Sequence, residues 1–385
     1  MRESPGCPTD PRHWIVQVAA SYPPRVGGLE NVAQMISERL ARRHRVEVAT
    51  TTVGSADAPR DEQIDGVRVR RSRGCAVAHT PVAPGLLLRL LRLPREVIVH
   101  AHIAHAFVPE VVWLTSRLRR RDYVAHFHLD ADPSGLLGFL LPAYKRLVLG
   151  PVLRGAHTVI VLSTEQASVM TDRYGVAPDR VRVVHNGVPD AFYSIDRTDR
   201  TDRTDRDDAT SSLKLLFVGR LDAQKNPVRL VEAMIGLGEL VELVVVGDGE
   251  LRSALDQLLL DRVLTNVRLV GTQRGRQLRD WYGWADAFVM SSDREGMSIS
   301  ALEALGAGLP VVATDVPGNT ELLSGVGLLV PPSVAGLREG IRAVALDAAL
   351  RADLAARSRA AGRAASWDRQ IEVLEEIYNS VQEGC

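Results

Sequence analysis

The sequence predicts an α/β chain of two doubly wound, Rossmann-like halves, and three observations carry that expectation. Short apolar runs alternate with helical stretches from end to end, the alternation restarts after residue 213, and a charged segment without apolar residues separates the two series. Short apolar runs divided by helices imply parallel sheets covered on both faces.

The first half opens with the apolar run Trp14 to Ala20, the Gly-bearing loop SYPPRVGG, and LENVAQMISERLARRH with apolar residues at helical spacing. RVEVATT, VIVHAHI, DYVAHFHLD, HTVIVLS and RVRVVHNGV continue the strand series. After residue 213 KLLFVGRL, ELVVVG, NVRLVG, DAFVMSS, PVVATD and GLLVPP build a second sheet. The Asn186-Gly187 pair reads as a turn where the chain leaves the first half. The domains expected are a flexible leader over 1–12, a first domain over 13–193, a linker over 194–212, a second domain over 213–366 and a C-terminal helix over 367–385 that crosses back toward the first domain. RTDRTDRTDRDDATSS, in the linker, has balanced charge and nothing apolar to bury, so solvated chain is expected. The tail ALRADLAARSRAAGRAASWDRQIEVLEEIYNSVQEG reads as at least two helices broken near Gly362 and Ser366.

At 385 residues, 45% hydrophobic and 24% charged, the chain is long enough for two cores. Lys+Arg and Asp+Glu both total 47, so no net field is available to hold nucleic acid. The three cysteines, Cys7, Cys75 and Cys385, have no spacing that suggests a disulfide framework or a zinc site, which fits a reducing cytoplasm. The leader carries charge and proline without an apolar run, unlike a signal peptide. No apolar stretch reaches the roughly 18 to 20 residues needed to span a bilayer. GLLLRLLRLPREV and LLGFLLPAYKRLVLGPVLRG are apolar and basic, and read either as amphipathic helices facing a core or as segments lying on the inner face of an anionic membrane.

Chemistry concentrates in SSDREGMSISALEALGAGLPVVATDVPGNTELL. Glu295 sits in a loop and Glu303 in the helix that follows, whose N-terminus at Ser298 to Ser300 offers backbone N–H groups and a positive dipole end to a phosphate. Carboxylates suit polyol recognition because each accepts two hydroxyl protons. Ser300 with Glu303 equally satisfies an S-x-x-E capping box, which would make Glu303 a helix-start device. Upstream, Gly219-Arg220 and Lys225-Asn226 put two cations at the carboxyl end of a strand, where open α/β sheets bind ligands. In the first half, His100, His102, His126 and His128 lie at successive strand ends. Structural imidazoles, a catalytic histidine and a metal site are all open readings, although no H-x-x-E-H or H-E-x-x-H pattern accompanies them.

GRLDAQKN, VVVGDGEL, NVRLVG and the Glu295-to-Glu303 spacing with ALEALGAGLPVVATDVPGNTELL resemble the family-4 retaining glycosyltransferases of the GT-B fold. The resemblance covers nearly the whole chain and is most specific over residues 214–331. It implies two Rossmann-like domains with sheets facing across a cleft, a UDP-, GDP- or related nucleotide-sugar donor held mostly by the C-terminal domain, and an acceptor held mostly by the N-terminal one. It also implies catalysis without a cofactor or essential metal, since Arg and Lys neutralise the leaving group. Carried across, Arg220 and Lys225 match the diphosphate clamp, Glu295 the donor-sugar carboxylate and Glu303 the ribose carboxylate. The backbone of Met297, Ser298 and Ile299 would cover the phosphates, with Met297 where Phe is common and Ser298 where Gly is common. Gly27 and Gly28 match the family's glycine loop, Gly219 the end of the phosphate strand, and His128 the active-site histidine, with His126 the close alternative. The implied reaction moves a sugar with retention, by front-face attack, to a hydroxyl of a small-molecule, natural-product or lipid-linked acceptor. A sugar-nucleotide epimerase or dehydrogenase is disfavoured because SYPPRVGGLE lacks G-x-G-x-x-G. An inactive nucleotide-sugar-binding module is the other alternative.

Overall fold

The computed structural model describes residues 13–25, 27–77, 80–104, 106–128, 141–195 and 212–383. The leader 1–12, residues 196–211 of the charged linker, and Cys7 and Cys385 lie outside the described residues. The chain divides into two compact units, one running to His185 and resuming at Trp367, the other spanning Asn186–Ser366.

The first unit contains β1 (Trp14–Val18), α1 (Gly28–Leu40), β2 (Arg45–Thr51), β3 (Asp61–Ile64), β4 (Val67–Ser72), β5 (Cys75–Val77), β6 (Thr80–Val82), α2 (Pro84–Leu91), β7 (Ile98–Ile103), α3 (Val108–Arg119), β8 (Tyr123–Phe127), α4 (Leu141–Tyr144), α5 (Gly150–Arg154), β9 (Thr158–Val161), α6 (Thr164–Asp172) and β10 (Val181–Val183). Its main sheet runs β10-β9-β8-β7-β1-β2-β4-β3. Every pairing in it is parallel except β3 with β4. That antiparallel edge was not anticipated, although its turn, Asp65-Gly66 with both φ positive, is a hairpin signal written in the sequence. Alternation sorts the central strands: Val16, Val18, Val99, Ala101, Tyr123, Ala125 and Phe127 enter one apolar core. Gln17, His100, His102 and His126 take the intervening positions, where they form a buried polar row.

The second unit contains β11 (Leu213–Val218), α7 (Pro227–Ala233), β12 (Val241–Val246), α8 (Arg252–Asp261), β13 (Val267–Leu269), α9 (Gly275–Trp284), β14 (Ala287–Met290), α10 (Ile299–Gly306), β15 (Val311–Thr314), α11 (Pro317–Leu323), β16 (Leu328–Val330), α12 (Val334–Leu346) and α13 (Ala348–Ala364). All its strands are parallel in the order β13-β12-β11-β14-β15-β16. The strand order therefore reverses between β11 and β14, and the crevice beyond their carboxyl ends is where such sheets take ligands. Helix starts follow the capping chemistry: Asn226, Ser298, Ser333 and Asp347 each accept a hydrogen bond from a backbone N–H of the first turn.

Two boundaries differ from expectation. Residues 186–193 pack in the second unit: Val188 pairs with Ser366, and the Phe192 ring meets Tyr282 edge-on at 5.1 Å. The seat is tight, since a Cβ on Gly306 would run into Val188. Gly362 does not break α13. It lets the helix approach α10, because a Cβ there would lie 2.7 Å from the Leu305 carbonyl oxygen.

The last helix, α14 (Trp367–Glu383), belongs to the first unit. It buries Trp367, Ile371, Leu374, Ile377, Tyr378 and Val381. His13 bonds Gln382 and Asn379 at 2.9 Å each, and His44 bonds Glu375 at 2.9 Å. Truncating Leu374 to Ala should cost about 2–5 kcal/mol of stability in the first unit. Hydrogen exchange should show the loss in β1 and β7 while β11–β16 keep their protection.

Candidate active site

At the reversal point of the second sheet, the loop after β11 and the loop after β14 are stitched together. Lys225 Nζ meets Glu295 Oε1 at 2.6 Å, with both side chains largely buried. Ser292 Oγ donates to the same oxygen at 2.5 Å. Glu295 Oε2 has no partner among the described residues, which leaves an acceptor open. Asp222 Oδ1 accepts from the Lys225 N–H at 3.0 Å, and Ser291 Oγ donates to the Lys225 carbonyl at 2.9 Å. Asn226 and Arg229 both bond Asp293, and Gln224 bonds the Arg294 carbonyl at 3.1 Å. Arg220 is different: its side chain is 72% exposed and, among the described residues, is tethered to Asp222 alone at 3.1 Å, which leaves it room to reach a ligand.

Ser298 is the N-cap of α10, its Oγ accepting from the Ala301 N–H at 3.3 Å. The capping box drawn from Ser300 to Glu303 is therefore not formed, because the helix begins two residues earlier. Backbone N–H groups of Ile299 and Ser300 keep no partner among the described residues, and they lie at the positive end of the helix dipole. Met297 is buried and its Sδ accepts from the Asn186 N–H at 3.2 Å. Glu303 is buried in the helix, and Oε2 accepts from Tyr282 OH at 2.7 Å. Burial raises its pKa to about 7 against a smaller lowering by the tyrosine. Burial and the neighbouring Glu303 push the Tyr282 phenol well above its ordinary range.

Glycines set the floor of this site, and the sequence reading missed the ones that matter. A Cβ on Gly318 would run into the Glu295 carbonyl and lie 2.5 Å from that of Gly296. Gly247, at φ +145°, passes so close to Gly219 that a Cβ would strike its carbonyl, and one on Gly249 would lie 2.5 Å from the Leu221 oxygen. By contrast, Gly219 itself has room: its nearest neighbours to an added Cβ are Phe217 at 3.4 Å and Lys225 at 3.6 Å.

In the first unit, Gly27 precedes α1 with extended backbone and lies against Glu30, whose carboxylate accepts from Ser21 at 2.6 Å; Gly28 is exposed at the first helical position. The histidines sit on neighbouring strands, with His102 opposite His126 in the register of β7 and β8. His102 and His128 approach at 2.8 Å, His100 and His126 at 3.2 Å. Burial pushes all four imidazoles below the ordinary histidine range, His102 to about 3, so they are neutral at physiological pH. Ligand atoms of His100, His102 and His126 lie within 4.8 Å of one another, close enough for a metal ion, but hydrogen bonds already engage each ring. Leu129 and Asp130, which follow His128, lie outside the described residues. A groove of about 530 Å³ lined by His157, Arg180, Arg182 and Glu376 lies at the amino ends of β8–β10, away from the ligand-binding edge of the sheet.

Two family models match the chain, one described as glycosyl transferases group 1 over residues 212–347 and one as glycosyltransferase family 4 over residues 26–192. A D-inositol 3-phosphate glycosyltransferase of Actinosynnema mirum is 30% identical over 401 residues, covering 93% of each chain. The chain belongs to glycosyltransferase family 4. A glycogen synthase of Mycobacterium tuberculosis is 28% identical over 411 residues, 96% of this family-4 chain and 95% of that protein. The fold is that of Anabaena HepE, solved in complex with UDP and glucose, at TM-score 0.75 and 19% identity over 96% of this chain and 100% of that one. Sucrose-phosphate synthase from Thermosynechococcus elongatus matches at TM-score 0.74 and 19% identity, over 97% and 100%. This family-4 chain thus has the GT-B fold that its motifs implied.

The glycine floor makes a contrast that thermal unfolding can read. Gly318→Ala should destabilise by about 1–3 kcal/mol through overpacking against the Glu295 loop. Gly219→Ala, which meets only ordinary contacts, should stay within about 0.5 kcal/mol of the parent.

Proposed function

We propose that this family-4 glycosyltransferase moves a hexosyl group from a UDP- or GDP-sugar to a hydroxyl of a small-molecule, natural-product or lipid-linked acceptor, with retention of anomeric configuration. The observation that carries the reading is the part-buried Lys225–Glu295 pair at the reversal point of the second sheet, with the N–H groups that open α10 on the loop that follows Glu295. Lys225 spends one of its three protons on Glu295, leaving charge and donors for a diphosphate; Arg220 adds a mobile fork. The complex of HepE with UDP-glucose supports a nucleotide-sugar donor.

In this reading the diphosphate lies across Lys225, Arg220 and the first turn of α10, formed by Met297, Ser298 and Ile299. Glu303 takes the ribose hydroxyls, and the open oxygen of Glu295 takes a hydroxyl of the transferred sugar. The family resemblance assigns His128 and the glycine loop of Gly27 and Gly28, all in the first unit, to the transferred sugar. In a front-face transfer the bond from the anomeric carbon to the phosphate oxygen breaks. The acceptor oxygen forms its bond on the same face, and its proton passes to the departing phosphate. Lys225 and Arg220 stabilise the negative charge growing on that phosphate, which removes the need for an essential metal or other cofactor.

Glu295→Ala should lower transfer by at least about a hundredfold with the fold intact, measured as release of nucleoside diphosphate across UDP- and GDP-sugars. Unchanged turnover would remove Glu295 from the site.

Glu303 sets a pH signature. Ribose hydroxyls donate to the ionised carboxylate, so binding favours the deprotonated form and draws its raised pKa down, releasing a proton. Nucleotide affinity measured by calorimetry should therefore fall as pH drops below about 7, and Glu303→Gln should weaken binding and flatten that dependence.

No described helix is long and apolar enough to cross a membrane. Leu88, Leu114, Leu118 and Leu147 are nevertheless exposed, as are Arg92, Arg95, Arg117, Arg120 and Arg146 in the same stretches of sequence. This composition supports peripheral contact of the first unit with an anionic membrane at its cytoplasmic face. Flotation with vesicles containing phosphatidylglycerol should carry the protein, and Leu114→Ser with Leu118→Ser should reduce the floated fraction; equal recovery with neutral vesicles would contradict this.

A further inference from the structure

The polar row beneath α14 has a direction, and the distances assign it. Gln17 on β1 lies 2.7 Å from His102 Nε2 through Oε1 and 3.3 Å from Tyr378 OH through Nε2. Reversing the amide would set two nitrogens 2.7 Å apart, closer than either imidazole–imidazole contact in the row, and stretch an O–H···O bond to 3.3 Å. The amide oxygen therefore accepts, and His102 carries its proton on Nε2. Its bare Nδ1, 2.8 Å from His128 Nε2, can only accept. His128 must donate from Nε2. Because burial keeps the ring neutral, that is its single proton, and Nδ1 is left as a lone pair without a partner among the described residues.

A second branch runs from the same tyrosine. Tyr378 OH accepts from Gln17, so its own proton goes to His100 Nδ1 at 2.6 Å. His100 then donates from Nε2 to His126 Nδ1 at 3.2 Å, which leaves His126 with a proton on Nε2. That atom is buried without a hydrogen-bond partner. The two histidines that motif alignment could not tell apart thus end the network with opposite polarity, a donor on His126 and an acceptor on His128.

We infer that Gln17 and Tyr378 are positioning residues: through His102 they fix His128 as its Nε2–H tautomer, so that His128 offers a sugar hydroxyl an acceptor at Nδ1 and no donor. The sugar contact rests on the proposed transferase reading; the tautomer does not. In the first unit the C-terminal helix thereby sets the hydrogen-bonding sense of a candidate sugar-contacting side chain.

Nitrogen-15 NMR of the full chain labelled at histidine reads the tautomers directly, with each ring assigned by single His→Gln substitutions. His102 and His128 should both be neutral with the proton on Nε2 at pH 7. In Gln17→Leu the His128 ring should redistribute over both tautomers. In Tyr378→Phe the His100 and His126 rings should change as well. A His128 proton on Nδ1, a doubly protonated ring, or a His128 signal indifferent to Gln17→Leu would overturn the inference. So would stoichiometric Zn²⁺ displacing the shared ring protons, which would make the row a metal site. Should Gln17→Leu not fold, the parent spectrum decides alone. The spectra are recorded without sugar nucleotide, so a wrong tautomer leaves the transferase reading standing, and absence of transfer leaves the tautomer standing.

Discussion

The part-buried ion pair between Lys225 and Glu295 is the constraint on which the second unit's site depends. Its members come from loops that follow different strands, and each is anchored by its own backbone: Lys225 by Asp222 and Ser291, Glu295 by the close seat over Gly318. Removing one partner of such a pair leaves the other charge without its counter-ion in a largely water-excluded place, which is destabilising. Such a pair is weak evidence for stability and better evidence for positioning, because two charges with little access to water are held in place before any ligand arrives. Chemistry that develops negative charge on a leaving phosphate benefits from charges that need no reorganisation.

The first unit solves a different problem with neutral groups. Three imidazoles and an amide share a face of three adjacent strands, His128 follows just beyond β8, a phenol reaches the row from the last helix, and six of the eight ring nitrogens are hydrogen-bonded among the described residues. Burial denies the rings their charge, so the row is governed by proton placement. Tyr378 comes from the last helix of the chain, nearly two hundred residues after the rest of that unit, and the row is incomplete without it.

Much of this was legible in the sequence, for local reasons. Short apolar runs divided by helical stretches marked strands of both sheets, and the charge types after β11 and β14 made Arg220, Lys225 and Glu295 candidates. What escaped notice depends on partners far along the chain. Gly318 reads as an ordinary turn until the Glu295 carbonyl is seen above it, and Tyr282 reads as core until it is found on Glu303. Ser300 looked like a cap because S-x-x-E is a local pattern, yet Ser298 takes the role. Gln17 did leave a signal, a lone amide inside the apolar run WIVQVAA, but its meaning required Tyr378. Residues 186–193 look like a continuation of the first half, and only the bridge from Val188 to Ser366 assigns them to the second.

The most direct measurement is a crystal structure of the protein with UDP, and in parallel with GDP, at saturating concentration. The diphosphate is expected within hydrogen-bonding distance of Lys225 Nζ and the Ile299 and Ser300 N–H groups, with the ribose on Glu303. A nucleotide bound elsewhere, such as in the groove beside His157 and Arg182, with the Lys225–Glu295 pair untouched, would contradict it.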